Sequence, residues 1–427
     1  MSKLQDLIDR LCPNGVEFKK MGEICKNICS GGTPLTSNKS YYNGTIPWMR
    51  TQEVDWKDVY DTEIKISEEA VKNSSTKLIP ANCVIVAMYG ATAAKVCINK
   101  IPLTTNQACC NLEIDDHIAS YKYVYYWLCN SYEVLKAMGE GSQNNINGQK
   151  IKNFPIPIPP LEVQEEIVRI LDRFADYAAE LQAELQARKE QYEYYRNLLL
   201  TFNPSAYGSG TDDEQKDDIT RWGGRSYKIQ WKKMGEIGTF IRGKRFVRTD
   251  IVEEGVPCIH YGDMYTYYGL YATKTRGYIK KDIAKNMRYA ETNDVVIVAA
   301  GENKDDLGNA LAWLGQEPAA VHDACFIFRS EMCPNYLSHV CRTKSYHKQV
   351  RMFANEAKIC SVSGNDLSKV VIPLPPYELQ IKIAAILDRF ETLVNDLSKG
   401  LPAEIAAVKA QYEYYRNKLL TFKDVAG

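Results

Sequence analysis

Apolar residues recur at alternating steps of four and three through two long stretches of the chain. In the first stretch these positions, with one arginine among them, are Ile167, Leu171, Phe174, Ala178, Leu181, Leu185, Arg188, Tyr192, Tyr195 and Leu199. Charged and amide residues fill most of the places between them, so the pattern predicts a long helix with one continuous packing stripe. About 40 residues at 1.5 Å each would make a rod of roughly 60 Å.

The second stretch repeats the stripe with one interruption. Its positions are Ile383, Leu387, Phe390, Val394, Leu397 and Leu401, followed after four extra residues by Val408, Tyr412, Tyr415 and Leu419. Four extra residues break the register of a heptad repeat. Because Gly400 and Pro402 lie at this point, the sequence predicts a break or kink in the second helix.

The two stretches are copies of each other. Residues 191–202 and 411–422 agree at 11 of 12 positions, and the segment Ile-Leu-Asp-Arg-Phe occurs at both 170–174 and 386–390. A lone amphipathic rod cannot bury its stripe, whereas two copies can pack together. An antiparallel pair needs only a short connection, so it is the expected arrangement. It would relate the two halves of the chain by a pseudo-two-fold axis.

The segments before the first rod and between the two rods predict two related α+β domains with mostly antiparallel sheets. In the first, strands are expected at 46–50, 83–87, 95–98 and 109–114, and helical periodicity lies at 121–138. The motif Lys-Lys-Met-Gly-Glu-Ile at 19–24 recurs at 232–237, and Val-Ile-Val-Ala recurs at 84–87 and 296–299. The loops differ: Arg242–Arg245 stands where the first copy has Cys29–Gly32. The predicted segments are a short helix (1–17), domain one (18–157), helix one (158–202), a linker (203–228), domain two (229–373) and helix two (374–427).

Bulk composition limits the class of protein without deciding it. The chain has 427 residues, 45% of them hydrophobic, with a formal net charge of zero. Neither a signal peptide nor an apolar run of membrane-spanning length is evident, so a cytoplasmic protein is expected. The 13 cysteines include no Cys-x-x-Cys pair, and the five histidines show no ligand spacing. The sequence therefore predicts buried thiols of a reducing compartment and no metal site.

The rods retain their outer faces while the domains change their loops. Outer positions kept in both rods predict that each rod binds a copy of the same partner; the candidates are Asp172, Arg173, Tyr194, Arg196, Asn197, Asp388, Arg389, Tyr414, Arg416 and Asn417. Two domains with a common scaffold and different loops are suited to recognising two different targets.

Taken together, these features resemble the specificity subunit of type I restriction–modification enzymes. The resemblance rests on a Gly-Gly-Thr-Pro loop at 31–34, an Ile-Pro-Trp strand at 46–48, a proline-rich exit and a long helix ending Tyr-Tyr-Arg-Asn. It implies two target-recognition domains, each recognising half of a split sequence in double-stranded DNA, separated by two long antiparallel coiled-coil helices. It also implies two bound methyltransferase subunits and restriction subunits joined through the complex.

Motifs for chemistry within the chain are weak. Gly238–Lys244 has phosphate-loop spacing, but Arg245 replaces the hydroxyl residue that would hold Mg²⁺. Pro375-Pro376-Tyr377 resembles a methyltransferase motif, although Leu374 replaces its Asn or Asp, and we interpret it as a helix-entry turn. No catalytic residue and no cofactor are predicted here. S-adenosylmethionine, ATP and Mg²⁺ are expected in the partner subunits.

Candidate DNA contacts come from basic, amide, hydroxyl and aromatic residues in the loops. Residues 221–290 hold 15 Lys or Arg against 6 Asp or Glu, whereas domain one is nearly balanced. Basic residues suit phosphate contact, and Arg, Asn and Gln can bond base edges. The candidates in domain one are Thr33, Ser37, Lys39, Arg50, Gln52, Tyr89, Lys95, Gln107 and Asn144. Those in domain two are Arg242, Lys244, Arg245, His260, Tyr261, Lys304 and Lys358.

Two other classes of protein remain open at this point. One is a coiled-coil scaffold whose two domains bind protein partners. The other is an enzyme, a methyltransferase or nuclease with degenerate motifs, although the motifs it needs are missing from the loops. A steep fall of DNA binding with rising salt would distinguish DNA recognition from a protein scaffold.

Overall fold

The computed structural model describes residues 2–140, 145–202, 218–355, 359–396 and 399–425. The chain divides into two compact units, one of Met1–Glu180 with Ala406–Gly427 and one of Leu181–Ile405. Each long rod is thus divided between the units: the first rod divides after Glu180, and the second divides after Ile405.

The first unit contains the short N-terminal helix, the first domain and the start of the first rod. Its helices are α1 (Ser2–Leu11), α2 (Glu68–Lys72), α3 (Tyr121–Asn130), α4 (Tyr132–Ala137), α5 (Gly148–Lys152) and α6 (Leu161–Thr201), which continues into the second unit. Its strands are β1 (Phe18–Lys20), β2 (Cys25–Ser30), β3 (Ile46–Met49), β4 (Asp58–Val59), β5 (Ile64–Ile66), β6 (Leu78–Ile79), β7 (Val84–Ala87), β8 (Val96–Asn99), β9 (Leu103–Thr105), β10 (Cys109–Ile114) and β11 (Pro155–Pro157). The predicted helix at the N-terminus and the four predicted strands are confirmed.

The strands of the first unit form two main sheets, in the orders β2-β10-β7-β8-β4 and β5-β3-β9-β6. Most pairs are antiparallel; the parallel pairs are β3 with β9 and β4 with β8. All four residues of β7 are buried. Val84 and Val86 pack in the core that includes α3 and α6, while Ile85 and Ala87 pack in the core on the opposite face. Both faces of the strand are covered, which explains its unbroken apolar sequence.

The second unit repeats this scaffold. Its strands are β12 (Asp218–Trp222), β13 (Arg225–Lys233), β14 (Gly238–Arg242), β15 (Ile251–Val252), β16 (Val256–Ile259), β17 (Tyr271–Ala272), β18 (Gly277–Ile279), β19 (Tyr289–Ala290), β20 (Val295–Val298), β21 (Ala300–Gly301), β22 (Ala310–Trp313), β23 (Ala319–Val321), β24 (Cys325–Ser330), β25 (Cys360–Ser361) and β26 (Val371–Leu374). The main sheets run β14-β24-β20-β22-β17 and β15-β18-β16-β23-β19. They match the strand orders of the first unit, with β15 added.

The helices of the second unit include the second rod. They are α7 (Met234–Ile237), α8 (Asp263–Thr266), α9 (Lys281–Ala284), α10 (Pro334–Val340), α11 (Lys344–Phe353), α12 (Gly364–Leu367), α13 (Tyr377–Asn395) and α14 (Leu401–Leu420), of which α14 continues into the first unit. The predicted break is confirmed between α13 and α14. A Cβ on Gly400 would lie 2.3 Å from the carbonyl oxygen of Thr392, so only glycine fits beneath the end of α13.

Part of the predicted linker is wrong. The sequence predicts a linker over 203–228, but β12 and β13 pair as an antiparallel hairpin from Asp218 onward. The two residues between them, Gly223 and Gly224, have φ values of 55° and 78°. Two successive positive φ values make the tight turn that suits a hairpin. The same glycine pair resembles a flexible linker when only composition is considered.

The rods contact each other in both units through equivalent residues exchanged between the copies. In the first unit Phe174 stacks on Tyr415 with ring centroids 5.4 Å apart, and in the second unit Phe390 stacks on Tyr195 at 5.6 Å. Phe174 and Phe390 are repeats of each other, as are Tyr195 and Tyr415. Parallel copies would place like beside like, whereas this reciprocal pairing is that of antiparallel helices. The predicted stripe is buried or half-buried wherever it is described; Leu397 lies outside the described residues.

Candidate nucleic-acid interface

Three loops of the first unit meet at one edge of its sheets. We call them the first loop cluster: residues 30–34 after β2, 50–53 after β3 and 105–107 after β9. Parallel strands β3 and β9 place their carboxyl ends side by side, with Met49 opposite Thr105. The amide of Gly32 donates to the carbonyl of Thr105 at 2.9 Å, and the amide of Asn106 donates to that of Met49 at 2.9 Å. The loops are therefore joined by backbone hydrogen bonds before any side chain contributes.

The second unit builds the same arrangement from different side chains. The second loop cluster consists of residues 242–246 after β14, 260–263 after β16 and 321–323 after β23. Strands β16 and β23 are again parallel, and Ile259 lies opposite Val321. The amide of Lys244 donates to the carbonyl of Val321 at 2.9 Å, and the amide of His322 donates to that of Ile259 at 3.2 Å.

A glycine is required at one place in each cluster. A Cβ on Gly31 would lie 1.9 Å from the carbonyl oxygen of Thr105, and one on Gly243 would lie 2.2 Å from that of His322. These two glycines are therefore equivalent. Their equivalence corrects the register taken from the sequence by one residue: Arg242–Arg245 corresponds to Ser30–Thr33.

Four of the domain-one candidates lie in the first loop cluster. Thr33 and Gln107 form a hydrogen bond, and both side chains are exposed. Arg50 is paired with Glu63, and the neighbouring Gln52 is exposed. The cluster therefore presents a hydroxyl, an amide pair and a guanidinium on one surface.

The other domain-one candidates lie around this cluster or apart from it. Ser37 and Lys39 are exposed on the segment that follows residues 30–34. Tyr89 is 39% exposed and precedes a turn whose Thr92 donates to the carbonyl of Thr51 at 2.8 Å. Lys95 is held by Asp55 at 2.6 Å, with 26% of its side chain exposed, which limits its reach. Asn144 lies outside the described residues.

In the second loop cluster the basic side chains project outward around a group of aromatic rings. Arg242, Lys244 and Arg245 are exposed, as the sequence interpretation requires. Beneath them Phe246, His260, Tyr261 and His322 form a cluster of ring contacts, with the two imidazole centroids 4.8 Å apart.

His260 was a candidate for DNA contact, yet it is only 6% exposed. Tyr261, half-buried beside it, is the more accessible ring. Nδ1 of His260 accepts from the amide of Gly262, and Nδ1 of His322 accepts from that of Ala324. Burial is the largest effect on both imidazoles, and it lowers the pKa of each. Both rings are therefore neutral near pH 7. They support the loops as neutral rings rather than as cations.

The sequence interpretation did not include His322, and one of its remaining domain-two candidates, Lys304, lies outside the second loop cluster. His322 corresponds to Asn106, and its position in the repeat Ala-Cys segment was the available signal. Lys304 lies on the short turn Lys304–Asp306 that follows β21. Lys358 lies outside the described residues.

Two of the candidate partner-binding residues on the rods, both aspartates, form hydrogen bonds with the domain of their own unit. Asp172 accepts from Lys122 and Tyr126 at 2.6 Å each, and Asp388 accepts from Asn335 at 2.7 Å. These aspartates fasten each rod to the helices α3 and α10 of its domain. The sequence interpretation assigned them only to an outer face, so for these two residues it overlooked a structural role.

The arginines are also partly enclosed. Arg196 lies over the ring of Tyr192 at 5.1 Å, and Arg416 lies over that of Tyr412 at 5.3 Å. The exposed members of the candidate set are Arg173, Tyr194, Arg389, Tyr414 and Asn417, whereas Asn197 is half-buried.

Two buried glutamines that the sequence interpretation missed join the start of each rod to its domain. The amide nitrogen of Gln164 donates to the carbonyls of Ile118 and Pro159, and its oxygen accepts from the amide of Ser120. Gln380 repeats this role, donating to the carbonyl of Pro375 and accepting from the amide of Cys333. The repeated glutamine three residues into each rod was a signal available in the sequence.

Neither rejected motif forms a site. The segment 238–242 with phosphate-loop spacing is strand β14, paired along its length with β24, so it cannot wrap a phosphate. Pro376 is the residue before the first turn of α13, which confirms the helix-entry interpretation. Among the described residues, Asp115, Asp116 and His117 are the group with metal-ligand proximity. They are adjacent surface residues, and Lys26 already holds Asp116 at 2.5 Å.

A model of the type I restriction–modification DNA specificity domain matches this sequence twice, at residues 13–191 and 228–407. The chain belongs to this family. The two matches confirm the prediction of a specificity subunit with two target-recognition domains, which recognises DNA within a larger complex and is not itself an enzyme. The protein-scaffold alternative is not favoured.

Named relatives and solved structures agree with the family. The chain is 32% identical over 323 residues to the specificity subunit of type I restriction enzyme EcoR124I/EcoR124II of Escherichia coli, covering 72% of each chain. It is 27% identical over 428 residues to the EcoprrI specificity subunit of Escherichia coli, covering 96% of this chain and 94% of the other.

Solved structures share the fold over nearly the full length. The S subunit of a type I system from M. genitalium matches with a TM-score of 0.53 at 15% identity, covering 95% of this chain and 96% of that one. A chain from a study of complex assembly and conformational transition of the type I R-M system matches with a TM-score of 0.59 at 16% identity, covering 95% and 97%. Within the described part of the chain, none of the helices is long and apolar enough to span a bilayer.

Proposed function

We propose that each loop cluster recognises one half of a bipartite sequence in double-stranded DNA, and that the two halves differ. The observation that supports this most directly is that the clusters share backbone hydrogen bonds and a required glycine but differ in their side chains. Thr33, Arg50 and Gln107 of the first correspond to Arg245, His260 and Asp323 of the second. A common scaffold would present different hydrogen-bonding groups to the two half-sites.

The available side chains suit direct recognition of bases. Arg50 and Gln107 carry groups that can form paired hydrogen bonds with guanine or adenine edges, each worth about 1–3 kcal/mol of discrimination. Arg242, Lys244 and Arg245 are exposed cations suited to phosphate contact, which contributes affinity without sequence preference. The second cluster would therefore contribute the greater share of salt-dependent binding.

We infer that the rods set the gap between the half-sites and bind two methyltransferase subunits, one on each rod. Support comes from the exposed outer residues repeated on both rods, Tyr194 with Tyr414 and Arg173 with Arg389. Tyr194 and Tyr414 are 63% and 61% exposed, so both rings are accessible to a partner. Restriction subunits would join through the methyltransferases, and S-adenosylmethionine, ATP and Mg²⁺ would bind to those partners.

Sequencing of methylated DNA tests this proposal. The chain would be expressed with its methyltransferase, and the methylated adenines would be mapped across a genome. The expected result is one motif made of two unlike specific words separated by a gap of fixed length. A single uninterrupted motif, or no sequence preference, would overturn the proposal.

A further inference from the structure

A cavity of about 360 Å³ lies in the second unit, between the end of α6, helix α13, and helix α8 with the segment that follows it. We call it the junction pocket. Its polar lining comes from Tyr192, Arg196, Tyr265, Arg342, Glu391 and Asn395. None of these residues belongs to the second loop cluster, and the function proposed above does not use the pocket.

Arg342 enters the pocket from just beyond the end of α10 with an unused donor. Its Nη1 donates to Oδ1 of Asn309 at 3.1 Å. Its Nε is buried and, among the described residues, has no hydrogen-bond partner. Burial lowers the pKa of this guanidinium. A buried charged donor without an acceptor is unfavourable, so the site is suited to an incoming acceptor.

Arg196 is a second cation whose Nε has no hydrogen-bond acceptor among the described residues. It lies over the ring of Tyr192, and its buried Nε also has no partner within the described part of the chain. Glu391 is the one carboxylate in the described lining of the pocket. Its negative charge favours the protonated forms of Arg342 and Tyr192, so it opposes the effect of burial on the pKa of Arg342 and adds to the effect of burial on the pKa of Tyr192. Two guanidinium groups against one carboxylate leave the described lining of the pocket with a net positive charge.

The first unit shows that the scaffold does not require this pair of cations. Tyr123 and Tyr336 are equivalent, since each donates its hydroxyl to the carbonyl of a proline before a rod, Pro157 and Pro373. Six residues further on, the first unit has the buried Cys129 where the second has Arg342.

The equivalent arginine of the second rod has a hydrogen-bond acceptor that Arg196 lacks within the described part of the chain. Arg416 repeats Arg196 in the other rod, and its Nε donates to Oδ1 of Asn130 at 3.4 Å. Among the described residues, the pair of arginines with unpartnered Nε atoms is therefore found in the second unit and not in the first.

The pocket lies beside the surface proposed to bind DNA. Helix α8 begins at Asp263, the last residue of the 260–263 loop, and Tyr265 of α8 and Tyr267 just after it line the cavity. Tyr267 is 57% exposed, and Arg276 lies over its ring at 5.4 Å. One helical turn of about 5 Å separates the loop from the pocket. Tyrosine hydroxyls, together with arginine, are common donors to DNA phosphates.

We propose that the junction pocket binds one backbone phosphate of the DNA that flanks the half-site recognised by the second loop cluster, with Arg342 and Arg196 as donors. This inference rests on the function proposed above. A phosphate offers several acceptor oxygens, which matches the two guanidinium groups and the tyrosine hydroxyls that line the pocket. Because the first unit lacks the arginine pair, the phosphate contact is made on one side of the bipartite site only.

Salt dependence of DNA binding tests the proposal in the complex with methyltransferase. Arg342→Gln should reduce the slope of log affinity against log salt, measured between 50 and 200 mM, by about one. The affinity for specific and unrelated DNA should fall together, and the methylated sequence should stay the same. Lys369→Gln is the matched control: it removes an exposed cation paired with Asp366 and should leave the slope unchanged.

A second variant and a second measurement keep the test decisive if Arg342→Gln does not fold. Arg342→Lys should retain the slope. In the wild-type complex, ethylation of single phosphates should interfere at a position flanking the second half-site, with no counterpart flanking the first. An unchanged slope in Arg342→Gln, or symmetric interference, would overturn the proposal.

Two further outcomes separate this proposal from others. If Arg342→Gln weakens assembly with the methyltransferase while the assembled complex keeps its slope, the pocket holds a carboxylate of the partner, and the phosphate proposal is wrong. If the wild-type complex binds no DNA in a salt-dependent manner, the proposed function fails as well. A normal wild-type slope with an unaltered variant removes the pocket proposal alone.

Discussion

At the scale of single residues, the two units differ most in their titratable groups. His260, His322 and His347 all belong to the second unit, and burial lowers the pKa of each. In the first unit, Arg50 and Asn106 occupy the places of His260 and His322. The stability of the second unit should therefore depend on pH in a range where the first unit has no such histidines.

The imidazole of His347 should make the stability of the protein depend on pH. Burial, with the nearby Arg342, Arg351 and Arg196, lowers its pKa to about 4. The unfolded chain takes up this proton near pH 6.5, so the unfolded state binds more protons as pH falls from 6.5 to 4, and stability is lost across that range. The loss amounts to roughly 3 kcal/mol at the lower end. His347→Gln should flatten the pH dependence of the melting temperature between pH 7 and 4.5.

The control for this measurement is His117→Gln, which replaces an exposed histidine. It should melt like the wild type at every pH. If His347→Gln lost as much stability on acidification as the wild-type protein, His347 would not be the group that takes up the proton.

At the scale of elements, each loop cluster depends on one glycine contact. In Gly31→Ala the new methyl group would meet the carbonyl oxygen of Thr105 at 1.9 Å, so the 30–34 loop must move away from the 105–107 loop. Recognition of the first half-site should fall at least tenfold, while the second half-site keeps its contribution. DNA-binding assays with each half-site altered in turn would measure this. Gly148→Ala, where the nearest atom is Met88 Sδ at 4.0 Å, should bind like the wild type.

The stacking contacts between the rods predict which of two Phe→Ala changes destabilises the protein more. Phe390 stacks on both Tyr192 and Tyr195, whereas Phe174 stacks on Tyr415. Each Phe→Ala change removes a half-buried ring, which costs about 2–4 kcal/mol. Phe390→Ala should destabilise the protein more than Phe174→Ala, as measured by urea denaturation. The opposite order would show that the stacking contacts do not set the strength of rod pairing.

The rods were predictable from sequence, and the loop clusters were not, for a physical reason. The heptad stripe and Gly400 with Pro402 are local patterns, and they predict helices, burial and the break in the second rod. The clusters depend on the parallel pairing of β3 with β9 and of β16 with β23, which joins strands far apart in sequence. No periodicity reports that pairing. The places of Gln164 and His322 in the repeats mark these residues but not their hydrogen-bond partners, which only the folded backbone reveals. The alignment of Gly31 with Gly243 follows from the close approach of a carbonyl oxygen to each glycine.

At the scale of the whole molecule, the repeated rod faces carry the prediction about partners. Tyr194 and Tyr414 are the exposed aromatic residues common to both faces. Tyr194→Ala or Tyr414→Ala alone should leave one bound methyltransferase per chain, and the double variant should leave none, because each face binds one copy. Native mass spectrometry would count the copies. Two bound copies in the double variant would exclude these tyrosines as the contact.

The central claim is that each loop cluster determines one half of the recognised sequence. It is tested most directly by replacing residues 30–34, 50–53 and 105–107 together with their equivalents from the second cluster, and then sequencing the methylated DNA. Transferring all three loops preserves the contacts among Phe246, His260 and His322. The expected motif has its first word replaced by a copy of the second, while the second word and the fold are retained. A motif whose two words both change, or neither, would contradict the claim.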